Sequence, residues 1–334
     1  MIPSLISFWV ERYLAGYIRD GGSMIKLVTA RDAGTVNGFL RQAERAAVEH
    51  GYLTAFLDAS AIARVNVFTN IYQALVRELD LVALIHDYCC RVVRLLGYNP
   101  DEIPKETAFA DWAGEARGRD LVILQREIRE RLEEDLFRNR LVNRTFATVV
   151  LQLAADELRA KEKRLIGEEK DLLYAWMRAE AVSLRNLKKF HVFSKIDRYN
   201  ARLMLRSLVE LSRLAGKKGL FLAVGGLEVL LARKENRRPL YGRAAREEFY
   251  ESVRQLIDEI DTLDHLMIVL GFQRELVDDM LAGFKSYEAL WLRIQHEVAG
   301  RRPNLFRDFL DIDEVAASKD AGALHEGGAT VAEV

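Results

Sequence analysis

Apolar positions along the chain fall into two periods. MIKLVTA (24–30), YLTAFLDAS (52–60), GLFLAV (219–224) and LMIVLG (266–271) are short apolar or alternating runs bounded by turn residues, which predicts strands. FRDFLDI (306–312) predicts one more. At the start, MIPSLISFWVERYLAGYI sets Leu5, Phe8, Trp9, Tyr13 and Ile18 on one face of a helix within residues 1–22, and Asp20-Gly21-Gly22 turns the chain. After the first strand come the loop RDAGTVNG and the amphipathic helix FLRQAERAAVEHG, closed by Gly51. Strand, loop, helix and strand in that order make a βαβ unit, and hence a parallel sheet.

From about 66 to 217 the period is helical, most clearly over 119–135, 142–163, 168–186 and 198–215. Runs such as REIRERLEED read as charged faces of exposed helices. Helices over 244–261 and 286–299 separate the later strands. The pattern predicts one α/β domain over 23–315 carrying a large helical insertion at about 66–217. AASKDAGALHEGGATVAEV (316–334) is small, polar and aperiodic, and is expected to be disordered. No internal repeat is visible.

Composition adds bounds. The chain has 334 residues, 50% hydrophobic and 30% charged, with a net charge of −1. That suits a sizeable core and argues against a general nucleic-acid coat, while allowing a local basic patch. Cys89 and Cys90 are adjacent on a predicted helix, about 100° apart, a poor geometry for a disulfide or a metal pair. The histidines, at 50, 86, 191, 265, 296 and 325, show no metal-ligand spacing. The apolar start is interrupted by Glu11 and Arg12, and no run approaches the roughly 18 residues of a membrane span. A cytoplasmic protein without metal or membrane partner is the expectation.

The first strand leads into VTARDAGTVNGFLR, where a P-loop would carry G-x-x-x-x-G-K-[ST]. In that register the window is Ala30, Arg31, Asp32, Ala33, Gly34, Thr35, Val36 and Asn37, with Val36 at the lysine position and Asn37 at the hydroxyl that ligates magnesium. Asp32 puts a negative charge where phosphate oxygens would lie. The second half of such a site, an acid pair ending another core strand, falls on Gly225-Gly226 of LFLAVGGLE. A tight strand-to-loop turn would explain the same glycines with no site at all.

MIKLVTARDAGTVNGFLR, NVFTNIYQALVREL, the long stretch from LLYAWMRAEAVSLRNLKKF to LFLAVGGLE, and GFKSYEALWLRI together resemble the BREX phage-defence ATP-binding proteins, a branch of the AAA+ P-loop ATPases. The resemblance covers most of 20–300 and implies an AAA+-like parallel core and a role in defence or DNA transactions. It also implies ATP and magnesium, yet Thr35-Val36-Asn37 and Gly225-Gly226 stand where such proteins carry Gly-Lys-Ser/Thr and Asp-Glu. No cofactor is therefore expected here. The polar sensor position after the next strand falls on Gln273.

RKENRRPLYGRAAR (233–246) carries six Lys/Arg against one Glu. Arg243 and Arg246 are candidates for a trans-acting finger toward a neighbouring subunit's nucleotide, and with Arg237 and Arg238 for contact with DNA phosphates. A solvated basic loop is the plain alternative. The expectation is a catalytically degenerate AAA+-like subunit, a hetero-oligomeric partner of an active P-loop ATPase or another defence component. Two rivals stay open. One is an atypical live NTPase, with Glu228 as acid and Arg31 in the lysine's place; the other is a DNA-binding module acting through 233–246.

Overall fold

Five strands, β1 (Ser23–Ala30), β2 (Leu53–Asp58), β3 (Leu220–Gly225), β4 (Leu266–Gln273) and β5 (Phe309–Asp311), form one sheet in the order β2-β3-β4-β1-β5. Every neighbouring pair is parallel. The structure is a computed structural model that describes residues 2–105, 107–298 and 305–320. It is an α/β fold of the P-loop-like kind that the sequence predicts.

Alternation along the strands sends side chains into two cores. Phe221 and Ala223 of β3, Met267 and Val269 of β4, and Val28 and Ala30 of β1 face one core. Leu220, Leu222 and Val224, with Leu266, Ile268 and Leu270, face the other. Burial on both faces is why these strands read as continuous apolar runs.

The first core is covered by α2 (Ala33–Glu49), by α14 (Ile312–Asp320) and by the N-terminal helix. That helix begins as α1 (Ile2–Trp9) and continues as a π-helix over Val10–Tyr17. The Ile18 N–H donates to the Tyr13 carbonyl five residues back, at 2.9 Å. The wider turn keeps Leu5, Trp9, Leu14 and Ile18 on one buried line, with Trp9 edge-on to Phe39 of α2 at 4.9 Å. Through Leu5, Trp9, Tyr13, Leu14 and Ile18 the N-terminal helix is thus part of the domain's core.

The second core takes the helical insertion: α3 (Phe68–Glu78), α4 (Leu81–Leu95), α5 (Phe109–Arg117), α6 (Leu121–Phe137), α7 (Arg144–Leu158), α8 (Gly167–Met177), α9 (Leu184–Leu187) and α10 (Ala201–Leu214). Tyr72 of α3 and Trp176 of α8 anchor it, donating to the carbonyls of Met177 and Ser194 at 3.1 and 2.8 Å. Cys89 is buried on α4 and Cys90 half-buried, both as free thiols. Beyond β3 come α11 (Arg243–Glu259), α12 (Glu275–Asp278) and α13 (Glu288–Val298). Among the described residues no helix is long and apolar enough to cross a membrane.

Two expectations are corrected. The helix after β1 begins at Ala33 rather than at Phe39, because Asp32 caps it and Val36 continues the Leu40-Ala43-Ala47 stripe into the sheet. Residues 316–320, placed in a disordered tail, complete α14, whose Val315 is buried against the first core. The rest of that tail, 321–334, lies outside the described residues.

Candidate functional site

The chain leaves β1 toward β2 at one edge of the sheet and leaves β4 toward β5 on the other side of β1. In open α/β sheets the crevice beyond the carboxyl ends at such a reversal is the favoured ligand position. Here it lies beyond Ala30 and Gln273, which are register partners.

Only Arg31 and Asp32 connect β1 to α2. Asp32 is extended (φ −105°, ψ 128°), and its carboxylate accepts the Thr35 N–H at 2.7 Å and the Thr35 hydroxyl at 3.1 Å. Those bonds, the backbone one first, pull its pKa below the usual carboxylate range. The free N–H groups of a helix start form a ready anion site. At α2 the chain's own carboxylate sits there, against Gly34, where a Cβ would stand 3.0 Å from its oxygen.

Ala33, Gly34, Thr35, Val36 and Asn37 are therefore the first turns of α2, not a loop. Val36 is 1% exposed and faces the sheet. A Cβ at Gly271 of β4 would meet Val36 Cγ1 at 2.8 Å and Leu40 Cδ1 at 2.6 Å. Asn37 lies over β3, where a Cβ at Gly225 would meet its Oδ1 at 2.5 Å. Glycine at 225 and 271 thus lets α2 press onto the strands. Gly226 serves a different end. Its φ of +73° is left-handed, and it starts the 3-10 turn Leu227–Leu231 beside Asp58.

Glu228, on that turn, accepts the Gln273 N–H at 3.2 Å, so both end at the crevice and brace its floor. The sequence reading missed Arg274. Its N–H bonds the Ala30 carbonyl at 2.9 Å, and its guanidinium meets Asp311, Glu314 at 2.9 Å and Asp278 at 3.5 Å. Partial burial works against its charge, but the bonds to Glu314 and Asp311 prevail and hold it protonated. Asp311 also caps α14 through the N–H groups of Asp313 and Glu314, at 2.9 and 3.2 Å. Asp313 in turn accepts the Arg31 N–H at 2.8 Å. The crevice is lined by Asp32, Asp311, Asp313 and Glu314 against Arg31 and Arg274. The one sequence signal available for Arg274 was its place just past a core strand.

The basic segment is a small hairpin. Arg233 and Pro239 form an antiparallel bridge, and Arg237 takes φ +61° near its tip. Arg237 and Arg238 are exposed. Arg243 opens α11 and pairs with Glu247 at 2.7 Å, while Arg246 donates to the Tyr241 carbonyl at 2.7 Å. Tyr241 is itself buried and accepts the Val65 N–H at 3.3 Å. Among the described residues no group of three His, Cys, Asp or Glu is placed to hold a metal.

No curated protein and no solved structure matches the chain significantly. A family model does, over residues 14–311, from within the N-terminal helix to the end of β5. Every strand of the sheet falls inside that match, as do Arg31, Asp32, Arg274 and Asp311 of the crevice, and the chain belongs to the BREX system ATP-binding protein BrxC/D family.

Proposed function

We propose that this chain is a subunit of a phage-defence assembly that keeps the ATPase fold without hydrolysing ATP, and that it acts as scaffold or regulator for an active P-loop partner. The observation that carries this reading is the Asp32 carboxylate on the N–H of Thr35, at 2.7 Å. A phosphate at the start of α2 would have to displace that carboxylate and then face Asp313 and Glu314. With Val36 buried and Asn37 packed over Gly225, the residues present do not fit a nucleoside triphosphate with magnesium. What remains usable is surface: the exposed hairpin at 233–239 and the start of α11.

The test is a thermal-shift titration with millimolar ATP and magnesium, beside a turnover assay. No shift and no turnover are expected, since a ligand that binds the native state must stabilise it. A shift of several degrees that Arg31→Ala abolishes would overturn the reading in favour of a live NTPase.

A further inference from the structure

Away from the sheet, the insertion carries a cavity of about 480 Å³ lined by Arg129, Arg159, Lys163, His191, Gln125, Gln152 and apolar side chains, with no carboxylate among its lining residues. Arg129 shares its charge with Glu133 at 2.7 Å, whereas Arg159 is held in place by the Ala155 and Lys163 carbonyls at 3.1 and 3.4 Å. His191, in a left-handed conformation (φ +60°), stands at the rim and starts an irregular segment that runs to α10.

That segment is fixed from beneath and open above. Val192 and Ile196 are buried, and the Ser194 carbonyl accepts the Trp176 indole N–H at 2.8 Å. Between and just beyond those anchors the chain presents Phe193, Lys195, Arg198 and Tyr199 to solvent, with one carboxylate among them, Asp197, which accepts the Tyr199 N–H at 2.9 Å. Phe193 is 64% exposed and Tyr199 78% exposed, large values for aromatic rings. The Phe193 ring meets His191 edge-on at 6.5 Å, which joins the segment to the cavity. The Arg198 guanidinium lies over one face of Tyr199 at 4.7 Å, and the other face is not covered by it.

Exposed aromatic faces alternating with cations are what unpaired bases and their phosphates use: rings take the bases, cations track the backbone. A duplex hides its base faces and would gain nothing from the rings. We propose that the cavity and the 191–199 segment form one path for single-stranded nucleic acid, with phosphates held by Arg159, Lys163 and Lys195 and bases stacked on Phe193 and Tyr199. The path lies in the insertion, so it does not depend on whether the switch-point crevice retains nucleotide chemistry.

The experiment is fluorescence anisotropy on the full chain with labelled oligothymidylate and oligouridylate of about 20 nucleotides, and with a duplex of the same length. One or both single strands are expected to bind more tightly than the duplex, and which one does tells DNA from RNA. Affinity should fall between about 50 and 200 mM salt, and Lys163→Gln with Lys195→Gln should flatten that slope by about 0.7 each. Phe193→Ala and Tyr199→Ala should each weaken binding by about five- to a hundred-fold while leaving Tm in place, since both rings are exposed. Arg237→Ala with Arg238→Ala should leave binding intact. Absence of binding, equal binding of duplex, indifference to both aromatic changes, or loss through the hairpin variant would each overturn the proposal.

Discussion

Asn37 sits over Gly225 so closely that any side chain at 225 would begin 2.5 Å from its Oδ1. On the proposed reading, the acid position at 225 and the metal-ligand position at 37 compete for one space, so a carboxylate at 225 requires Asn37 to move. Gly225→Asp is expected to destabilise the protein by about 1–3 kcal/mol through overpacking under Asn37 and Leu40. Gly226→Glu adds about 1–2 kcal/mol, because residue 226 is left-handed and faces Asp58. Urea unfolding checks both values. ATPase assay of the double variant should show no turnover, and restored turnover would mean that the phosphate side of the crevice is sound.

Phe221 and Leu222 point into opposite cores of the same central strand. Both are 2% exposed or less, so truncation to alanine should cost about 3–5 kcal/mol for Phe221 and about 2–5 kcal/mol for Leu222. Chemical denaturation of the single variants measures this. A cost under 1 kcal/mol at either would contradict the placement of β3 between two cores.

The two candidate finger residues separate in the structure. Arg246 holds the Tyr241 carbonyl, so Arg246→Ala should lower stability by about 1–2 kcal/mol. Arg243 is 84% exposed and, among the described residues, pairs with Glu247 on its own helix. In co-purification with an active P-loop partner, Arg243→Ala should reduce the partner's turnover more than its binding, as a group acting in the transition state does. Equal loss of both would make Arg243 a docking contact.

Glu251 supplies a pH handle. The Arg254 guanidinium, with help from Tyr287 and Gln255, holds its carboxyl at about 2. A depressed folded-state pKa means stabilisation that is full above the ordinary glutamate range and is lost as pH falls through that range toward about 2. The gap in Tm between wild type and Glu251→Gln should therefore be largest near neutrality and shrink from about pH 4.5 downward. A gap that does not change with pH would remove the ionic share of the Glu251–Arg254 pair.

The strands were legible because burial on both faces leaves an unbroken apolar run, as in LFLAV and LMIVL. β5 is shorter than its run suggested, pairing only over Phe309–Asp311. The start of α2 was hidden by Gly34, Thr35 and Gly38, residues of modest helix propensity that the Asp32 cap and packing on the sheet override. Val36 four residues before Leu40 was the available sign. The crevice was legible only by position: Gly225 and Gly226 were found, and a tight turn was foreseen as one cause, which holds at Gly226, but the close helix that requires Gly225 is a tertiary fact. Arg274 and the Phe193–Tyr199 segment escaped because their partners are remote in sequence or absent from any local period.

β1 lies between β4 and β5, so the first strand made is flanked on both sides by the last two. Thr29 and Phe272, which share a hydrogen bond of 3.0 Å, are 243 positions apart. At ribosomal rates the nascent chain carries β1 with both edges bare for some tens of seconds. The buried ammonium of Lys26 donates to the Phe306 and Arg307 carbonyls at 2.9 and 2.8 Å and pairs with Asp308 at 3.1 Å, partners that are synthesised last. Until then a charged side chain stands on that open strand, and it counts against premature pairing with another copy's edge. A truncated product ending before β4 would retain this strand without its neighbours, as a client for chaperones or proteases.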